Sequence, residues 1–245
     1  MTGAVSLALA ADEPASRRVA DALFPEAEHR FLTRDELRPP APFAGPLFAL
    51  LAAFARAPGL PDPRAADPMA SGRGFAGSGA PDDAAASGHP GEAARPGRVV
   101  GLVVPVVWRA AAASAGSSVS GGPSAPAVLP PGTLVAVADH VNLGLRGPLT
   151  GPWPAGVPRS FPPLTGIYQP ALVRSRGGPR VYSSGVVVAG VADAGRLTPF
   201  EARAVLEAGI VAVSDSLVPA AVAAAYYGLT LAACGVPQAD DNDEE

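Results

Sequence analysis

Residues 132–143 read Gly-Thr-Leu-Val-Ala-Val-Ala-Asp-His-Val-Asn-Leu, and residues 147–152 follow with Gly-Pro-Leu-Thr-Gly-Pro. The first half of this stretch is apolar and rich in β-branched residues, a pattern typical of a buried strand. The second half carries Asp139, His140 and Asn142, whose side chains hydrogen-bond loop backbone or ligands where a strand leaves the core. Because open α/β sheets place ligand sites at the carboxyl ends of their strands, the stretch predicts a site at its own end.

The composition is that of one large domain, since 245 residues with 48% hydrophobic content can bury a full core. A net charge of −4 and a pI near 5.4 provide no basic surface, which argues against a nucleic-acid partner. The single cysteine, Cys234, allows no internal disulfide and favours a cytoplasmic location. The histidines and Cys234 have no metal-ligand spacing, so we expect no metal and no cofactor.

The sequence also argues against a membrane partner. The apolar N-terminus has no Lys or Arg ahead of its short apolar run, so it lacks the charged start of a signal peptide and is interpreted as a first strand. The longest stretch poor in charge, residues 209–237, contains only Asp215 as a charged residue and is interrupted by prolines and glycines. Strand, helix and strand inside a core explain this stretch without a bilayer.

Hydrophobic periodicity and helix-boundary residues predict alternating strands and helices. Thr198 to Glu201 form a capping-box pattern with proline at the first helical position, which places a helix start there. Residues 26–38 are polar, and their titratable side chains either line a pocket or form a solvated face; these are His29, Arg30, Arg34, Asp35 and Glu36. The predicted strands are 5–9, 99–107, 130–143, 181–191, 210–213 and 229–233, and the predicted helices are 14–24, 46–57, 198–208 and 218–227.

These elements predict a single α/β domain formed by residues 1–59 and 99–236. Strand, helix, strand, helix and strand with short joints after residue 181 indicate parallel pairing through right-handed crossovers. The predicted fold class is a three-layer αβα arrangement with a mixed or mostly parallel central sheet. Residues 60–98 are rich in Pro, Gly and Ala, which predicts a disordered insertion, and residues 237–245 form an acidic tail.

The stretches at residues 132–152 and 188–229 resemble the trimeric purine nucleoside phosphorylases. The first resembles the family's Asp-His-Ile-Asn-Leu strand and Gly-Pro loop. The second resembles its Ala-Gly-Pro-Ser-Phe-Glu-Thr loop, a helix, its Gly-Met-Ser-Thr-Val-Pro-Glu turn and a helix ending before Gly-Leu. Pattern matches cover residues 130–236, somewhat under half of the chain. The resemblance implies the nucleoside phosphorylase fold, a homotrimer, and phosphorolysis of the N-glycosidic bond of purine nucleosides with phosphate as co-substrate.

The family's functional residues carry over unevenly. Ser216 matches the serine that contacts phosphate and ribose, and its position before a helix suits an anion. Asp215 stands where the family has a methionine under the sugar. On the base side, Arg196 replaces an aromatic residue and Leu197 replaces the purine-binding glutamate. Val106 stands where the family has the purine-binding asparagine.

The replaced residues predict a purine nucleoside phosphorylase-like protein with weak or lost activity, and a pentosyltransferase if it is active. Two alternatives are a non-catalytic pseudoenzyme that binds a small ligand or a partner subunit, and an N-glycosidic hydrolase in which Asp215 activates water. In each enzyme hypothesis the partner is a small nucleoside or base. Instead of binding a ligand, Ser216 could serve as a helix N-cap. Asp139, His140 and Asn142 could likewise form hydrogen bonds that organise their own loop. If the phosphorylase interpretation is correct, the strands at 130–143 and 181–191 are adjacent and end near Ser216.

Overall fold

The computed structural model describes residues 5–39, 43–57, 98–108, 129–130, 132–144, 147–155, 157, 159, 161–175, 178–210 and 212–238. The predicted insertion at residues 60–98 therefore lies outside the described residues except for Arg98. The predicted acidic tail lies outside them beyond Gln238.

The described residues form seven strands and five α-helices. The strands are β1 (Val5–Ala11), β2 (Glu28–Leu32), β3 (Val99–Trp108), β4 (Leu134–Asn142), β5 (Val181–Gly190), β6 (Ala212–Ser214) and β7 (Thr230–Gln238). The helices are α1 (Pro14–Leu23), α2 (Arg34–Leu37), α3 (Gly45–Arg56), α4 (Pro199–Glu207) and α5 (Leu217–Tyr226). None of the helices in these described ranges is long and apolar enough to cross a bilayer.

Local sequence signals locate most of these elements correctly. The predicted capping box is confirmed, because the Thr198 side chain accepts from the backbone N–H of Glu201 and the Glu201 side chain accepts from that of Thr198. The polar segment 26–38, for which no strand was predicted, contains β2 and α2. Within the described sheet β2 pairs only with β1, and its charged residues are those of an edge strand. β7 continues to Gln238 and so includes the first residues assigned to the acidic tail.

The strands form a mixed sheet, as predicted, but five of them close into a barrel. The order is β2-β1-β3-β6-β5-β4-β7, and β7 also pairs with β3, so that β3, β6, β5, β4 and β7 form a closed ring. β3–β6 and β4–β7 are antiparallel, and the other pairs are parallel. The predicted parallel crossover from β5 to β6 is confirmed. The same expectation for β6 and β7 is wrong: β7 pairs along its whole length with β3, because three-residue β6 offers too short an edge.

The barrel strands are strongly staggered. One row of paired residues crosses four strand boundaries and passes through Val141, Ala189, Val213, Val107 and Gln238. Gln238 lies beyond Gly235, which pairs with Val135 near the start of β4. A row that leaves the end of β4 thus returns near its beginning, which is the tilt that closing a small barrel requires. The stagger places the carboxyl end of β7 in the same row as β6, with β3 between them.

The barrel interior and the helices share one large core. Alternate residues of all five ring strands belong to a single buried cluster, which marks the inward face of the ring; it includes Val104, Val106, Val135, Val137, Val186, Val188, Ala212 and Leu231. Residues of α3 and α5 pack on the same cluster, among them Leu47, Leu51 and Leu217. On the opposite face of β1 and β3, α1 contributes Val19 and Leu23. Helices therefore cover both faces of the sheet at β1 and β3, and the barrel departs from the predicted three layers.

An aromatic cluster attaches the Gly-Pro loop, residues 147–152, to the helices. Phe43 lies 4.8 to 5.1 Å, between ring centroids, from Phe48, Trp153 and Tyr226. The indole Nε1 of Trp153 donates to the carbonyl of Leu149 at 3.0 Å. Edge-to-face aromatic contacts of this kind add to the apolar burial. The loop that follows β4 is therefore held against α3 and α5.

Candidate functional site

The carboxyl ends of three parallel strands lie side by side. Asn142 of β4 pairs with Gly190 of β5, and Gly190 pairs with Ser214 of β6. We call this row of three residues the carboxyl edge. Ser216 follows two residues later, so the prediction that β4 and β5 are adjacent and end near Ser216 is confirmed. This edge is where a parallel sheet offers backbone groups and loops to a ligand.

Ser214, which the sequence analysis did not single out, organises the start of α5. Its hydroxyl donates to the carbonyl of Pro105 at 3.1 Å and accepts from the backbone N–H groups of Ser216 and Leu217 at 3.4 Å. Ser216 occupies the N-cap position of α5, but its side chain makes no capping hydrogen bond and is fully buried. The expected capping role therefore belongs to Ser214, and the signal for it is a serine at the end of a buried strand directly before the helix.

Asp215 is buried and paired with arginine. Its Oδ2 accepts from Nη1 of Arg38 at 3.1 Å, and Nη1 of Arg34 lies 4.0 Å from the same oxygen. Arg38 also donates to the carbonyl of Ala192 in the loop after β5, at 3.0 Å. The Asp215 side chain is only 9% exposed, so two cations offset the charge of a carboxylate that has lost most of its water.

Helix α2 and its C-cap residue present the two arginines. A capping box formed by Thr33 and Glu36 starts the helix, and Arg34 and Arg38 are four residues apart, which places them on one side. Arg34 is one of the pocket residues predicted from the sequence, whereas Arg38 is not among them. The structure places both arginines beside Asp215, a candidate site residue that was predicted from the family resemblance and not from this polar segment. Their separation along the chain, 177 residues for Arg38 and Asp215, explains why no local pattern reveals the pair.

A second set of hydrogen bonds ties Arg34 to two further strand ends. Its Nε donates to Oε1 of Glu13, just beyond β1, at 2.7 Å, and its Nη2 donates to Oε1 of Gln238, the last residue of β7, at 2.8 Å. Nε2 of Gln238 donates to Oε2 of Glu13 at 2.8 Å and closes the triad. Arg34 thus has partners at most of its donors, which makes it a connecting residue between the ends of β1, β2 and β7.

The three base-side positions lie in three different environments. The Arg196 side chain is 87% exposed and pairs with Asp193 at 3.4 Å. Leu197 is partly buried and packs beside α4, whereas Val106 is in the barrel interior. Among the described residues, no hydrogen bond or ion pair joins Arg196 to Asp215. The structure brings Asp215 together with Arg34 and Arg38, whereas the three base-side positions share no hydrogen bond or ion pair among the described residues.

A bulge between β4 and β5 decides which way the side chains of Asp139, His140 and Asn142 face, and we call these three the signature residues. The register shifts twice, so that Val137 pairs with Val186, Asp139 with Val187, and His140 with Val188. Val188 belongs to the interior cluster, and Asp139 and Val187 are exposed. The extra residue of the bulge therefore turns His140 inward and Asp139 outward. Bulges often re-aim side chains in this way beside functional sites.

The signature residues hydrogen-bond one another and a neighbouring loop. Oδ1 of Asp139 accepts from the backbone N–H of His140 at 2.8 Å. Nδ1 of His140 is 2.7 Å from the hydroxyl of Tyr168, a buried residue whose backbone forms a bridge with Leu231 at the start of β7. These contacts agree with the loop-organising interpretation. Asn142 is exposed at the carboxyl edge.

Burial shifts the pKa values of His140 and Tyr168 in opposite directions. Desolvation lowers the pKa of His140, and the nearby Asp139 carboxylate opposes that change. Desolvation also raises the pKa of Tyr168, with a smaller contribution in the same direction from Asp139. At neutral pH the pair therefore consists of a neutral imidazole and a protonated phenol.

We expect the free energy of unfolding to fall as the pH is lowered below about 6.5. The unfolded chain binds the His140 proton more readily because the folded pKa lies below the usual value of 6.5. One such group contributes a slope of at most about 1.4 kcal/mol per pH unit. Urea unfolding between pH 7.5 and 5.5 measures the slope, with His140→Gln as the control that lacks the group. An identical slope in both proteins would show that His140 contributes nothing to it.

A shallow groove lies at the opposite end of β5 from the carboxyl edge. Its volume is about 650 Å³, and its lining includes Arg174, Ser175, Arg180 and Ser183. Its residues surround the start of β5, whereas Asp215 follows the end of β6. In the described ranges, no three His, Cys, Asp or Glu side chains are grouped closely enough to hold a metal ion.

Comparison with known proteins gives partial structural similarity only. No protein-family model matches the sequence, and no curated protein matches it. Purine nucleoside phosphorylase from Schistosoma mansoni in complex with inosine is 20% identical, with a TM-score of 0.44 over 60% of this chain and 50% of that one. The same enzyme in a complex with BCX-34 is also 20% identical, with a TM-score of 0.43 over 60% of this chain and 53% of that one. Isoform 2 of the enzyme from the same organism, in complex with cytosine and ribose-1-phosphate, is 20% identical, with a TM-score of 0.41 over 57% of this chain and 47% of that one. The chain thus spans about half the length of these phosphorylases.

Proposed function

We propose that this chain is a purine nucleoside phosphorylase-like protein that binds a small nucleoside or base and whose phosphorolytic activity is weak or lost. The proposed relationship to the purine nucleoside phosphorylases rests on the order and spacing of the sequence motifs in residues 130–236. A homotrimer, a cytoplasmic location and the nucleoside phosphorylase fold belong to the same proposal. The alternatives are a non-catalytic pseudoenzyme that binds a small ligand or a partner subunit, and an N-glycosidic hydrolase.

The observation that carries the proposal is the pairing of Asp215 with Arg38 and Arg34. Phosphorolysis needs cationic or N–H donors that are available to a phosphate dianion. Here the guanidinium groups of Arg38 and Arg34 already face the Asp215 carboxylate, with Nη1 atoms 3.1 and 4.0 Å, respectively, from its Oδ2. A phosphate that enters must displace this carboxylate or approach it, and two unit charges at close range repel by about 1 to 4 kcal/mol. The arrangement therefore favours an uncharged ligand over phosphate.

The same pairing weakens the hydrolase alternative. A carboxylate that activates water needs a free oxygen lone pair beside the water and a pKa suited to accepting its proton. Asp215 is 6% exposed as a residue, and Arg38 donates to its Oδ2. The Arg38 guanidinium thus occupies one side of this oxygen, and the low exposure of Asp215 leaves little access for a water beside the carboxylate. Ligand binding without rapid chemistry is the function that this geometry supports best.

Binding experiments test the proposal directly. We expect inosine or hypoxanthine to raise the Tm of the purified chain in a saturable way, and inorganic phosphate alone to leave it unchanged. Ligand at one hundred times its Kd stabilises the folded state by about 2.7 kcal/mol. Asp215→Asn removes the carboxylate that faces Arg38 and Arg34, so it should create phosphate affinity that calorimetry detects, with a gain of about tenfold or more.

Asp193→Asn is the matched control, because it removes an equivalent charge from the exposed partner of Arg196. This variant should bind phosphate no better than the parent. Phosphate binding by the unmodified chain at least as tight as that of inosine would contradict the proposal. So would the absence of binding by both inosine and hypoxanthine.

A further inference from the structure

His140 has one ring nitrogen with a partner and one without. Nδ1 lies 2.7 Å from the Tyr168 hydroxyl, and the two rings meet edge to face with centroids 5.6 Å apart. Within the part of the chain that the structure describes, Nε2 of His140 has no hydrogen-bond partner. The His140 side chain is partly exposed, so this nitrogen can be reached from solvent. His29 differs, since its Nε2 lies 2.9 Å from the Phe24 carbonyl and its Nδ1 lies 2.9 Å from Asp21.

The buried phenol determines which ring nitrogen carries the proton. Tyr168 is 7% exposed, and His140 Nδ1 is the one hydrogen-bond partner of its hydroxyl among the described residues. If Nδ1 carried the proton, the phenol would accept it, and its own O–H would be left buried without an acceptor. Buried donors are almost always paired, because leaving one unpaired costs its full desolvation. The phenol therefore donates to Nδ1, and neutral His140 carries its proton on Nε2.

The inward turn of His140 places this N–H near the carboxyl edge. His140 shares a face with Val188, and two residues later Asn142 shares that face with Gly190 and Ser214. The same edge ends at α5, whose first residues are held by Ser214. A ligand at the carboxyl edge is thus within reach of a side chain that points inward from β4.

We propose that His140 is a ligand-recognition residue whose Nε2–H donates a hydrogen bond to an acceptor oxygen or nitrogen of a small polar ligand bound at the carboxyl edge. Tyr168 is a positioning residue, since it fixes the tautomer and orientation of the imidazole through Nδ1. The class of ligand, a nucleoside or nucleobase, rests on the proposed function. The lowered pKa of His140 agrees with this assignment, because a neutral imidazole in this tautomer is a donor at Nε2.

The tautomer is tested without any ligand. Two-bond ¹H–¹⁵N correlation spectra of the labelled chain identify the protonated nitrogen of each of its three histidines. His140→Gln assigns the signal. We expect an unprotonated Nδ1 and a protonated Nε2 at pH 7.5, and we expect Tyr168→Phe to yield a mixture of tautomers and to raise the pKa of His140. A signal with the proton on Nδ1, or one that Tyr168→Phe leaves unchanged, would overturn the inference.

The ligand contact is tested with hypoxanthine and inosine as separate probes. On saturation, the Nε2 signal of His140 should move while that of His29 stays in place, since both ring nitrogens of His29 already have partners. His140→Ala should weaken the affinity about tenfold, and His140→Gln, which keeps an N–H donor, should restore part of it. Calorimetric binding without a change at His140 would overturn the inference and leave the proposed function intact. No binding of either probe would overturn both.

Discussion

Phosphate-dependent release of hypoxanthine from inosine is expected at or near the uncatalysed background. Leu197 and Val106 stand where the resembled family has its purine-binding glutamate and asparagine, and both are apolar side chains packed in hydrophobic clusters. Loss of one well-placed transition-state contact typically lowers the rate by about 10² to 10³. Losing two should remove measurable turnover even though such effects are not additive. A coupled assay that detects free hypoxanthine, with and without phosphate, measures it.

Replacing Asp215 alone should not restore phosphorolysis. Asp215→Met supplies the residue that the resembled family has at this position and removes the carboxylate that faces both arginines, yet Leu197 and Val106 remain. We therefore expect phosphate to bind better without faster chemistry. Robust phosphate-dependent release that Ser216→Ala abolishes would instead show an active phosphorylase. Release that is independent of phosphate and lost in Asp215→Asn would favour the hydrolase.

Gly185→Ala should be among the most destabilising single-methyl additions in the chain. Gly185 lies in the bulge of β5 at a φ of +79°, and an added Cβ would lie 2.7 Å from the Cβ of Ala138 in β4. The left-handed backbone costs a non-glycine residue about 1 to 2 kcal/mol, and forcing a contact in a packed region adds about 1 to 3 kcal/mol. We expect the free energy of unfolding to fall by about 2 to 5 kcal/mol in urea titrations.

Gly209→Ala separates the two causes. Gly209 has a φ of +77°, nearly the same as Gly185, but an added Cβ would meet no atom within 4 Å. This control should therefore lose only the backbone contribution, about 1 to 2 kcal/mol. Equal losses in the two variants would show that the contact with Ala138 is not tight. If the register between β4 and β5 depends on this contact, Gly185→Ala should also change the His140 signals while Gly209→Ala leaves them unchanged.

The positions of individual helices and strands could be predicted from the sequence because their signals are local. The apolar run before Asp139 marks β4, and the pattern from Thr198 to Glu201 marks the start of α4. Gly209, just beyond that helix, has the positive φ typical of a helix end. Each of these signals depends on side chains within a few residues of one another, so no distant contact is needed to interpret them. The mixed α/β class follows from the alternation of these elements.

Ring closure and the composition of the site were decided by the tertiary structure. β7 has an apolar pattern that suits any neighbouring strand, and it pairs with β3 and β4 because they offer longer edges than β6. Whether His140 or Asp139 faces inward depends on a bulge that takes its extra residues from two strands, so simple alternation along β4 assigns the wrong face. The partners of Asp215 lie at the first residue and the C-cap of α2, in a segment that the sequence marks only as polar. Charged side chains have no sequence periodicity that identifies a distant partner, so only the folded chain brings Arg34 and Arg38 to Asp215.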